Sequence, residues 1–542
     1  MPSLPSLPTG KIPTGLLRFF AAFAILGLLT TLWSLASPLI SVPDEQAHVI
    51  KAASVVRGQL QGESGTAQGE RSQVEVPLFI ASTDGLPSCF AWKQLIPASC
   101  SPPLSSGTTM VKAPTSAGNY NPMYYEVTGL PSLFLTGAKA IYAMRIVSGL
   151  LSAAFVALAL VCLAGLRRWR LPVFVGSLAL TPMVFFLSGA VNPNSLEIAT
   201  SMSLFAALCL TWDRIDAGNA WKGPLAAAAV SAVVLANTRA ASLLWLGLAV
   251  IASLLLFGYR PLLSVLKQRF GWIMVGVVAV GCALSLLWLR MANSLQNLMG
   301  QGIDATPTQI VTIMLDRTFE FAVGYVSFLG WLDTPGPPGT LAVWAALIIG
   351  AIAVSLSVAD RAGRLTVAFL AAAVIFLPPL LQIPLAKDVG LIWQGRYILA
   401  LVVVLVTACG VAMRSFSMER PDVGRRASVI VLSLAVFGHF YSFIYGLRRY
   451  VIGLQDSSNW RDMLIAPQWQ PPFGWITLAV LYLAVLVAGA VLLHRWVTAP
   501  QHEKPAVPVS GGTTAPGGTT TPRTKDAVPA ATVPHRAPSK DA

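Results

Sequence analysis

Residues 15–40 read GLLRFFAAFAILGLLTTLWSLASPLI, an apolar run in which Arg18 is the single charged residue. A helix needs about 20 apolar residues to cross a bilayer, so this run predicts a membrane-spanning helix. Similar runs recur along the chain, without the alternation of polar and apolar residues typical of a membrane β-barrel. The sequence therefore predicts an all-α polytopic membrane protein with about twelve spans. The spans are expected near residues 15–40, 140–166, 171–190, 194–212, 222–237, 240–258, 271–291, 339–358, 365–385, 396–414, 426–446 and 474–494.

The composition of the 542-residue chain agrees with this class of fold. Charged residues make up 11% of the chain, whereas roughly 25% is usual in soluble domains. Hydrophobic residues reach 55%, which excludes a soluble enzyme, a disordered chain and a small disulfide scaffold. The net charge of +14 requires no nucleic-acid partner, because basic cytoplasmic loops give membrane proteins the same excess.

Basic residues mark every second loop between the predicted spans. Cytoplasmic loops carry an excess of lysine and arginine, so the alternation places these loops and both termini in the cytoplasm. We therefore expect a multi-pass protein of the plasma membrane, in contact with the lipid bilayer. The basic residues after the even-numbered spans are Arg167, Arg168, Arg170, Arg214, Lys222, Arg260, Lys267, Arg269, Arg361, Arg364, Arg414, Arg420, Arg425, Arg426 and Arg495.

The rest of the chain divides by composition. Residues 1–14 and the cytoplasmic tail 496–542 are polar and rich in Pro, Thr and Gly, so both are predicted to be disordered. Residues 15–495 form the transmembrane domain. Its largest external loop, 41–139, is expected to carry interfacial helices. Because the cytoplasmic loops are short, a catalytic or binding site is expected on the external side of the membrane.

Two of the six cysteines, Cys89 and Cys100, lie in this external loop. The outer side of the membrane is oxidising, so a disulfide between them is predicted, with two free thiols as the alternative. In the chain-entropy account such a bond contributes about 2–3 kcal/mol. The other four cysteines lie in apolar spans, where cysteine behaves as a small buried hydrophobe.

The first polar motif, SVPDEQAHVIKAASVVRGQL, follows the first span at residues 41–60. Asp44, His48 and Lys51 share one helical face beside an apolar stripe, which predicts a short helix lying on the outer membrane surface. Ser41 and Asp44 match a capping box, so a purely structural role is the simpler interpretation. The functional alternative makes Asp44 and Glu45 a general base or ligands of a divalent metal such as Mg or Mn.

The second and third motifs flank the next spans. NYNPMYYEVTGLPSLF places Tyr124 and Tyr125 at the membrane boundary, as an aromatic belt or as a surface for stacking on sugars, before a re-entrant or interfacial segment. In GAVNPNSLEIAT, Asn192 begins a tight turn, and Asn194 or its neighbouring serine caps the fourth span. Glu197 follows, either complementing the helix dipole or facing a cavity as a functional acid.

The fourth motif, LLQIPLAKDVGLIWQGRYILAL, contains Lys387, Gln394, Arg396 and Tyr397 around the start of the tenth span. A guanidinium at the outer boundary can bind a phosphate in a bidentate manner. The alternative is an arginine that only extends its side chain to the membrane interface. The chain has no GxxxxGK[ST] motif and no HExxH motif, so neither ATP nor a zinc protease site is expected.

The order of these motifs, PDEQAH, NPMYYEVTGLPSL with RIVSGLL, NPNSLEIAT and QGRYILAL, resembles the bacterial domain-of-unknown-function family 2142 over about residues 15–495. That family resembles a branch of the GT-C membrane glycosyltransferases. The resemblance implies transfer of a sugar, with inversion, from a polyprenyl-phosphate carrier to an envelope glycan or lipid acceptor on the outer face. Some GT-C branches use a divalent metal, but this chain has no Asp-x-Asp motif.

The resemblance also implies residue roles. Asp44 would be the base, Glu45 the second acid, and Arg396 would face the carrier phosphate. The residues expected to contact substrate are His48, Tyr124, Tyr125, Asn192, Asn194, Glu197, Lys387, Gln394 and Tyr397. Two other function classes remain open: a flippase or transporter of lipid-linked saccharides, and a membrane assembly protein without a site. A transporter would place polar residues deep in several spans, and it often shows inverted repeats that this sequence lacks.

Overall fold

The computed structural model describes residues 14–63, 70–293, 300–416, 421–455 and 460–499. Helices dominate these residues, and their β-structure consists of two short antiparallel pairs. In chain order the helices are α1 (Thr14–Ala36), α2 (Glu45–Val55), α3 (Leu78–Ala81), α4 (Met123–Thr128), α5 (Pro131–Phe134), α6 (Gly137–Ala164), α7 (Arg170–Leu178), α8 (Pro182–Ser188), α9 (Pro193–Asp216), α10 (Lys222–Ala236), α11 (Ser242–Phe257), α12 (Arg260–Leu266), α13 (Arg269–Met291), α14 (Pro307–Asp316), α15 (Thr318–Val326), α16 (Pro338–Val358), α17 (Arg361–Val389), α18 (Leu399–Ala412), α19 (Pro421–Val451), α20 (Trp460–Ile465) and α21 (Trp475–Thr498). The strands are β1 (Ser72–Pro77), β2 (Met110–Thr115), β3 (Phe328–Leu329) and β4 (Thr334–Pro335).

Within the described ranges, 9 helical segments are long and apolar enough to cross a membrane, or up to 11 if each bent helix pair forms one span. The pairs are α7 with α8, bent by 69°, and α11 with α12, bent by 113°. The remaining predicted span corresponds to α10, which has 15 residues and extends for about 22 Å. That is short of the ~30 Å hydrocarbon core. The prediction of an all-α polytopic membrane protein is confirmed, although the described residues contain 9 to 11 candidate spans where about twelve were expected, because the fifth is too short to cross the membrane.

Both bends occur where the sequence interrupts a helix. Pro182 begins α8 and has no backbone N–H with which to continue the preceding helix. Gly258 follows α11 with a φ of 76°, a left-handed conformation that glycine adopts at little cost. Pro261 then lies in the first turn of α12, a position that suits proline.

Two helices, α9 and α18, form the centre of the bundle and are buried along nearly their whole length. Helix α9 is rich in small residues, which allow neighbouring helices to approach closely. Some of its hydroxyl groups bond within the helix, as when Thr200 donates to the Leu196 carbonyl, and Ser203 pairs with Ser231 of α10. The residue that caps its first turn is Asn192, and not Asn194 or Ser195 as expected, since Asn192 Oδ1 accepts from the Asn194 amide at 3.0 Å. Burial of both helices and the cap of α9 hold their first turns in place, and these turns position the polar side chains of the candidate site.

The first external loop builds its own apolar core around α2. Strands β1 and β2 pair in antiparallel register from Ser72 with Thr115 to Pro77 with Met110. All residues of α2 except Gln46 are buried. The predicted helix is therefore present, but its position differs from the expected one on the membrane surface, because the hairpin and α4 cover the polar face as well.

The segment after this core, α4 and α5, presents apolar side chains outward. Leu130, Leu133 and Phe134 are exposed, with Phe134 at 82%. Both helices are too short to cross a membrane. Large exposed apolar side chains on short helices beside a span fit the interfacial position expected for this segment.

A disulfide joins Cys89 to Cys100 in the external loop. The loop that it closes is also held by the buried Arg449 of α19, which donates to the carbonyl oxygens of Phe90, Lys93 and Ile96. Arg449 completes the anchor through an ion pair with Asp333 at 3.5 Å. Nothing in the local sequence around the cysteines signals this long-range attachment.

The limits of the membrane domain differ little from those expected. Helix α21 ends at Thr498, three residues beyond the expected boundary at 495. The predicted disordered segments 1–14 and 496–542 lie almost entirely outside the described residues.

Candidate functional site

The centre of the site is an ion pair between Asp44 and Arg396, residues separated by 352 positions. Arg396 Nη2 lies 2.5 Å from Asp44 Oδ2. The arginine side chain is 1% exposed, whereas the aspartate side chain is 48% exposed. The pair thus joins a fixed, desolvated cation to a carboxylate that an incoming hydroxyl group can reach.

The backbone at Asp44 is unusual. Its φ of 67° is left-handed, and its side chain makes no capping hydrogen bond to α2. The hydroxyl group of Ser41, the other member of the expected capping box, is buried and has no hydrogen-bond partner in the described part of the chain. A left-handed aspartate costs about 1–2 kcal/mol, and such strain is characteristic of functional positions. The left-handed backbone directs the Asp44 carboxylate toward Arg396 instead of toward the N-terminus of α2.

Three further contacts fix this geometry. Gln394 Oε1 accepts from Arg396 Nε at 2.6 Å. The Pro43 carbonyl oxygen accepts from Arg396 Nη1 at 3.4 Å and from Asn192 Nδ2 at 3.3 Å. Asn192 and Gln394, both expected to contact substrate, therefore hold the backbone and the guanidinium beside Asp44.

The protonation state of Asp44 follows from these neighbours. Partial burial works against ionisation, but the charge and hydrogen bond of Arg396 outweigh it, and Arg239 adds to the effect. Together they hold the pKa of Asp44 below its usual range. Asp44 is accordingly a carboxylate at neutral pH, as a general base must be.

His48 lies one helical turn after Asp44 and is 5% exposed. Its Nδ1 is 2.9 Å from the hydroxyl group of the buried Tyr125. Burial, together with Arg239 and Arg396, outweighs the attraction of Asp44 and lowers the pKa of His48 to about 3. The imidazole is therefore neutral, and it orients Tyr125 by a hydrogen bond without adding charge to the site.

A second guanidinium, Arg239, lies in the connection between α10 and α11. It forms an ion pair with Glu197 at 3.3 Å. The guanidinium carbons of Arg239 and Arg396 are each 5.3 Å from the ring centroid of Tyr397, within range for cation–π attraction. We call Asp44, Glu197, Arg239, Arg396 and Tyr397 the Asp44 cluster. The sequence offered only one weak signal for Arg239, a basic residue at the outer end of a short apolar segment.

Glu45, the neighbour of Asp44, points into a different environment. Its side chain and that of Arg145 are both 0% exposed. Arg145 donates to both Glu45 carboxylate oxygens at 2.6 Å. It also donates to the carbonyl oxygens of Ser34, Ser37 and Pro38 at the end of α1. This contact ties α1, α2 and α6 together and leaves the Glu45 carboxylate closed to an acceptor in this conformation.

The remaining expected site residues lie apart from the cluster. Tyr124 is buried with its hydroxyl group 2.7 Å from Ser148 Oγ, and burial raises its pKa further above neutrality. Asn194 is buried in the first turn of α9, and its Nδ2 has no hydrogen-bond partner among the described residues. Lys387 is exposed near the end of α17, and no hydrogen bond or ion pair of the described residues links it to the Asp44 cluster.

A protein-family model described as "Predicted membrane protein (DUF2142)" matches residues 26–405, which include every residue of the Asp44 cluster. The chain belongs to the DUF2142 family. The resemblance inferred from the four motifs is thereby confirmed.

No curated protein matches this DUF2142 chain. Among solved structures, the fold is similar to that of ArnT from Cupriavidus metallidurans, in a crystal structure with bound undecaprenyl phosphate. That similarity has a TM-score of 0.44 and 12% sequence identity, over 88% of this chain and 77% of that one.

The DUF2142 site does not fit the divalent metal considered at Asp44 and Glu45. The described residues contain no group of three His, Cys, Asp or Glu side chains that could hold a metal ion. The two adjacent carboxylates diverge, and each already binds a different guanidinium. We derive no step of the chemistry through a metal.

A cavity of about 380 Å³ adjoins the DUF2142 site and shares Arg239 and Tyr397 with the Asp44 cluster. Its walls come from α11, α13, α17 and the segment before α18. The site can therefore combine a carboxylate open to a nucleophile, two guanidinium groups for an anion, and a partly enclosed space beside them.

Proposed function

We propose that the protein is a membrane glycosyltransferase. It would transfer a sugar from a polyprenyl-phosphate donor to a cell-envelope glycan or lipid acceptor on the outer face. The observation that carries this proposal is the ion pair of the half-exposed Asp44 with the buried Arg396. An acid that can receive a proton and a cation that can bind a phosphate meet at one point of the fold.

The reaction balances without ATP or a redox partner. The acceptor oxygen attacks C1 of the sugar while the bond from C1 to the phosphate oxygen breaks. The acceptor proton passes to Asp44, and the polyprenyl phosphate leaves with the bonding electrons. Attack opposite the leaving group inverts the configuration at C1.

Arg396 and Arg239 suit the leaving group in this reaction. Negative charge builds on the phosphate as the C1–O bond breaks, and guanidinium groups held in place stabilise that charge without reorganising. Gln394 and the Pro43 carbonyl hold Arg396 before the donor arrives. The donor phosphate would then contact a preformed cation.

Donor binding would also activate the base. In the present structure Asp44 and the expected phosphate site share one guanidinium, Arg396. A phosphate that binds Arg396 in its place offsets the positive charge that lowers the aspartate pKa. Asp44 would therefore become more basic only when the donor is in place.

Glu45 receives a different role from the one implied by the family resemblance. Both of its oxygens are used by Arg145, and Oε1 also accepts from the Val191 amide at 3.2 Å. We propose that Glu45 positions the first turn of α2, and thus Asp44, without touching substrate. Asp44 is then the single acid in direct contact with the acceptor.

The proposal is tested with purified protein in lipid nanodiscs and undecaprenyl-phosphate sugars as donors, combined with glycan analysis of a deletion strain. The Asp44→Asn variant keeps the shape of the side chain but removes its basicity, so we expect transfer to fall about 100-fold or more. Arg317→Ala, which breaks an exposed arginine–glutamate pair elsewhere, is the matched control and should keep wild-type activity.

Two results would contradict the proposal. Full transfer by Asp44→Asn would remove Asp44 as the base. Movement of lipid-linked sugar across liposome membranes, with no glycosyl transfer and no change in envelope glycans, would favour the flippase alternative.

A further inference from the structure

Two side chains that line the cavity beside the Asp44 cluster each carry a buried polar atom with no hydrogen-bond partner among the described residues. Gln382 of α17 is 1% exposed, and its Oε1 is buried without a hydrogen-bond partner. Trp393 lies between α17 and α18, and its buried Nε1 likewise has no hydrogen-bond partner among the described residues. Both side chains line the cavity. Buried polar atoms are almost always paired, so an unpaired acceptor and an unpaired donor at one cavity indicate a ligand that supplies both partners.

The amide of Gln382 has a defined orientation. Its Nε2 donates to the Gly390 carbonyl at 2.7 Å, where α17 ends. The other end of the amide, Oε1, is therefore the atom offered as an acceptor. Trp393 offers the opposite function, because an indole nitrogen is only a donor. A hydroxyl group can satisfy either atom, and two neighbouring hydroxyl groups can satisfy both.

Two other tryptophans of the cavity already use their indole nitrogens. Trp245 Nε1 donates to Glu197 at 3.1 Å, and Trp288 Nε1 donates to the Asn119 carbonyl at 3.1 Å. These two indoles present only their ring surfaces to a ligand. A pocket with apolar aromatic walls and a few placed polar groups suits a ring that is apolar on its faces and hydroxylated at its rim.

The charged residues that line the cavity further restrict which kind of sugar ring can bind there. Arg239 is the one ionisable lysine, arginine, aspartate or glutamate among the lining residues, and it is paired with Glu197. Among the described residues, the lining offers no carboxylate to an amino sugar, and its one cation is assigned to the donor phosphate, which leaves none for a sugar acid. A neutral hydroxylated sugar fits this lining best.

We propose that this cavity binds the neutral sugar ring of the donor, with Gln382 accepting a hydrogen bond from one hydroxyl group and Trp393 donating one to another. The inference rests on the proposed function, because the sugar is bonded directly to the phosphate that Arg239 and Arg396 would hold. The shared residues Arg239 and Tyr397 place the cavity within reach of that phosphate. Gln382 and Trp393 would then determine which sugar is transferred.

The test compares the binding of two probes in nanodiscs: undecaprenyl phosphate alone, and the same lipid carrying glucose, galactose or mannose. Trp393→Phe keeps the aromatic surface and removes the donor. Loss of one neutral hydrogen bond should weaken binding of the preferred sugar-bearing probe about 3- to 10-fold while leaving binding of the bare lipid phosphate unchanged. Gln382→Leu should likewise weaken binding of the sugar-bearing probe and leave binding of the bare lipid phosphate unchanged.

Trp344→Phe is the matched control. Trp344 also has a buried Nε1 without a partner, but it lines a separate, apolar cavity. This variant should leave the affinities for both probes unchanged. Binding of undecaprenyl phosphate reports that each variant is folded, so Trp393→Phe remains informative even if Gln382→Leu does not fold.

The outcomes separate this inference from the proposed function. If wild-type protein binds neither probe, the proposed function fails and the inference fails with it. If undecaprenyl phosphate binds but the two cavity variants change both affinities equally, or neither, the cavity does not hold the sugar. An increase of both affinities in Gln382→Leu would instead assign the cavity to the prenyl chain and overturn the inference alone.

Discussion

Asp44 and Glu45 are adjacent in the chain, yet their carboxylates bind different arginines from different parts of the fold. Asp44 binds Arg396 and keeps a half-exposed side chain, whereas Glu45 binds Arg145 in a fully buried pair. The left-handed backbone at Asp44 is the local cause, since it places consecutive side chains in separate environments. An acidic dipeptide that looks uniform in sequence thus divides into a candidate base and a structural anchor.

This division predicts that Arg145→Met will destabilise the protein. The substitution leaves the Glu45 carboxylate buried without its cation, for which a cost of about 3–5 kcal/mol is typical. Thermal unfolding in detergent should show a large decrease in Tm. Asp44→Asn, made as the control, should lose clearly less, because an amide oxygen at this half-exposed position can still accept from Arg396. Equal losses of Tm in the two variants would contradict the proposed division of roles.

Arg396→Lys should preserve the positive charge but impair donor binding. The arginine uses three nitrogens for Gln394, Pro43 and Asp44, and a single ammonium group cannot reproduce that planar arrangement. We expect KM for the polyprenyl-phosphate donor to rise about 10-fold or more, corresponding to the loss of one charge-assisted hydrogen bond. Wild-type kinetics for this variant would show that charge alone is required.

The sequence predicted the apolar segments and the four motifs, but the assembly of the site depends on packing between distant helices. Asp44 and Arg396 were recognised as candidates from local patterns. Arg239 carries only a weak signal in the sequence, because its importance arises from Glu197 and Tyr397, which other helices bring beside it. Local chemistry identifies residues that can react, whereas tertiary contacts decide which of them are open to a substrate and which are enclosed.

The pH dependence of transfer should report the competition between Asp44 and the donor phosphate for Arg396. In free enzyme Arg396 lowers the pKa of Asp44, so the acid limb of kcat/KM should lie below the ordinary aspartate value. In the donor complex that effect weakens, so the acid limb of kcat should lie at higher pH. Rate profiles from about pH 2.5 to 8, which reach below the ordinary aspartate pKa, would check this order. Coincident limbs, or the reverse order, would argue against shared use of Arg396.

Lys51 should make stability increase with pH. The side chain is 0% exposed, and its Nζ donates to the Leu60 and Gly118 carbonyls at 2.6 and 2.7 Å. Burial lowers the pKa of Lys51 to about 7 in the folded state, whereas an unfolded lysine titrates near 10.4. Between these values the unfolded chain binds more protons, so the free energy of unfolding rises from about pH 7 upward and levels off near the unfolded pKa.

The measurement is Tm at about pH 7, 8 and 9 in one detergent. Wild-type protein should gain stability over this window relative to Lys51→Met, which lacks the titrating group. The matched control is Lys93→Met, because Lys93 lies in the same loop and also donates to a carbonyl group, that of Ser88, but is exposed. Lys93→Met should retain the wild-type slope of Tm against pH. If Lys51→Met retains it as well, Lys51 stays charged in the folded protein, and its two carbonyl partners outweigh the cost of burial.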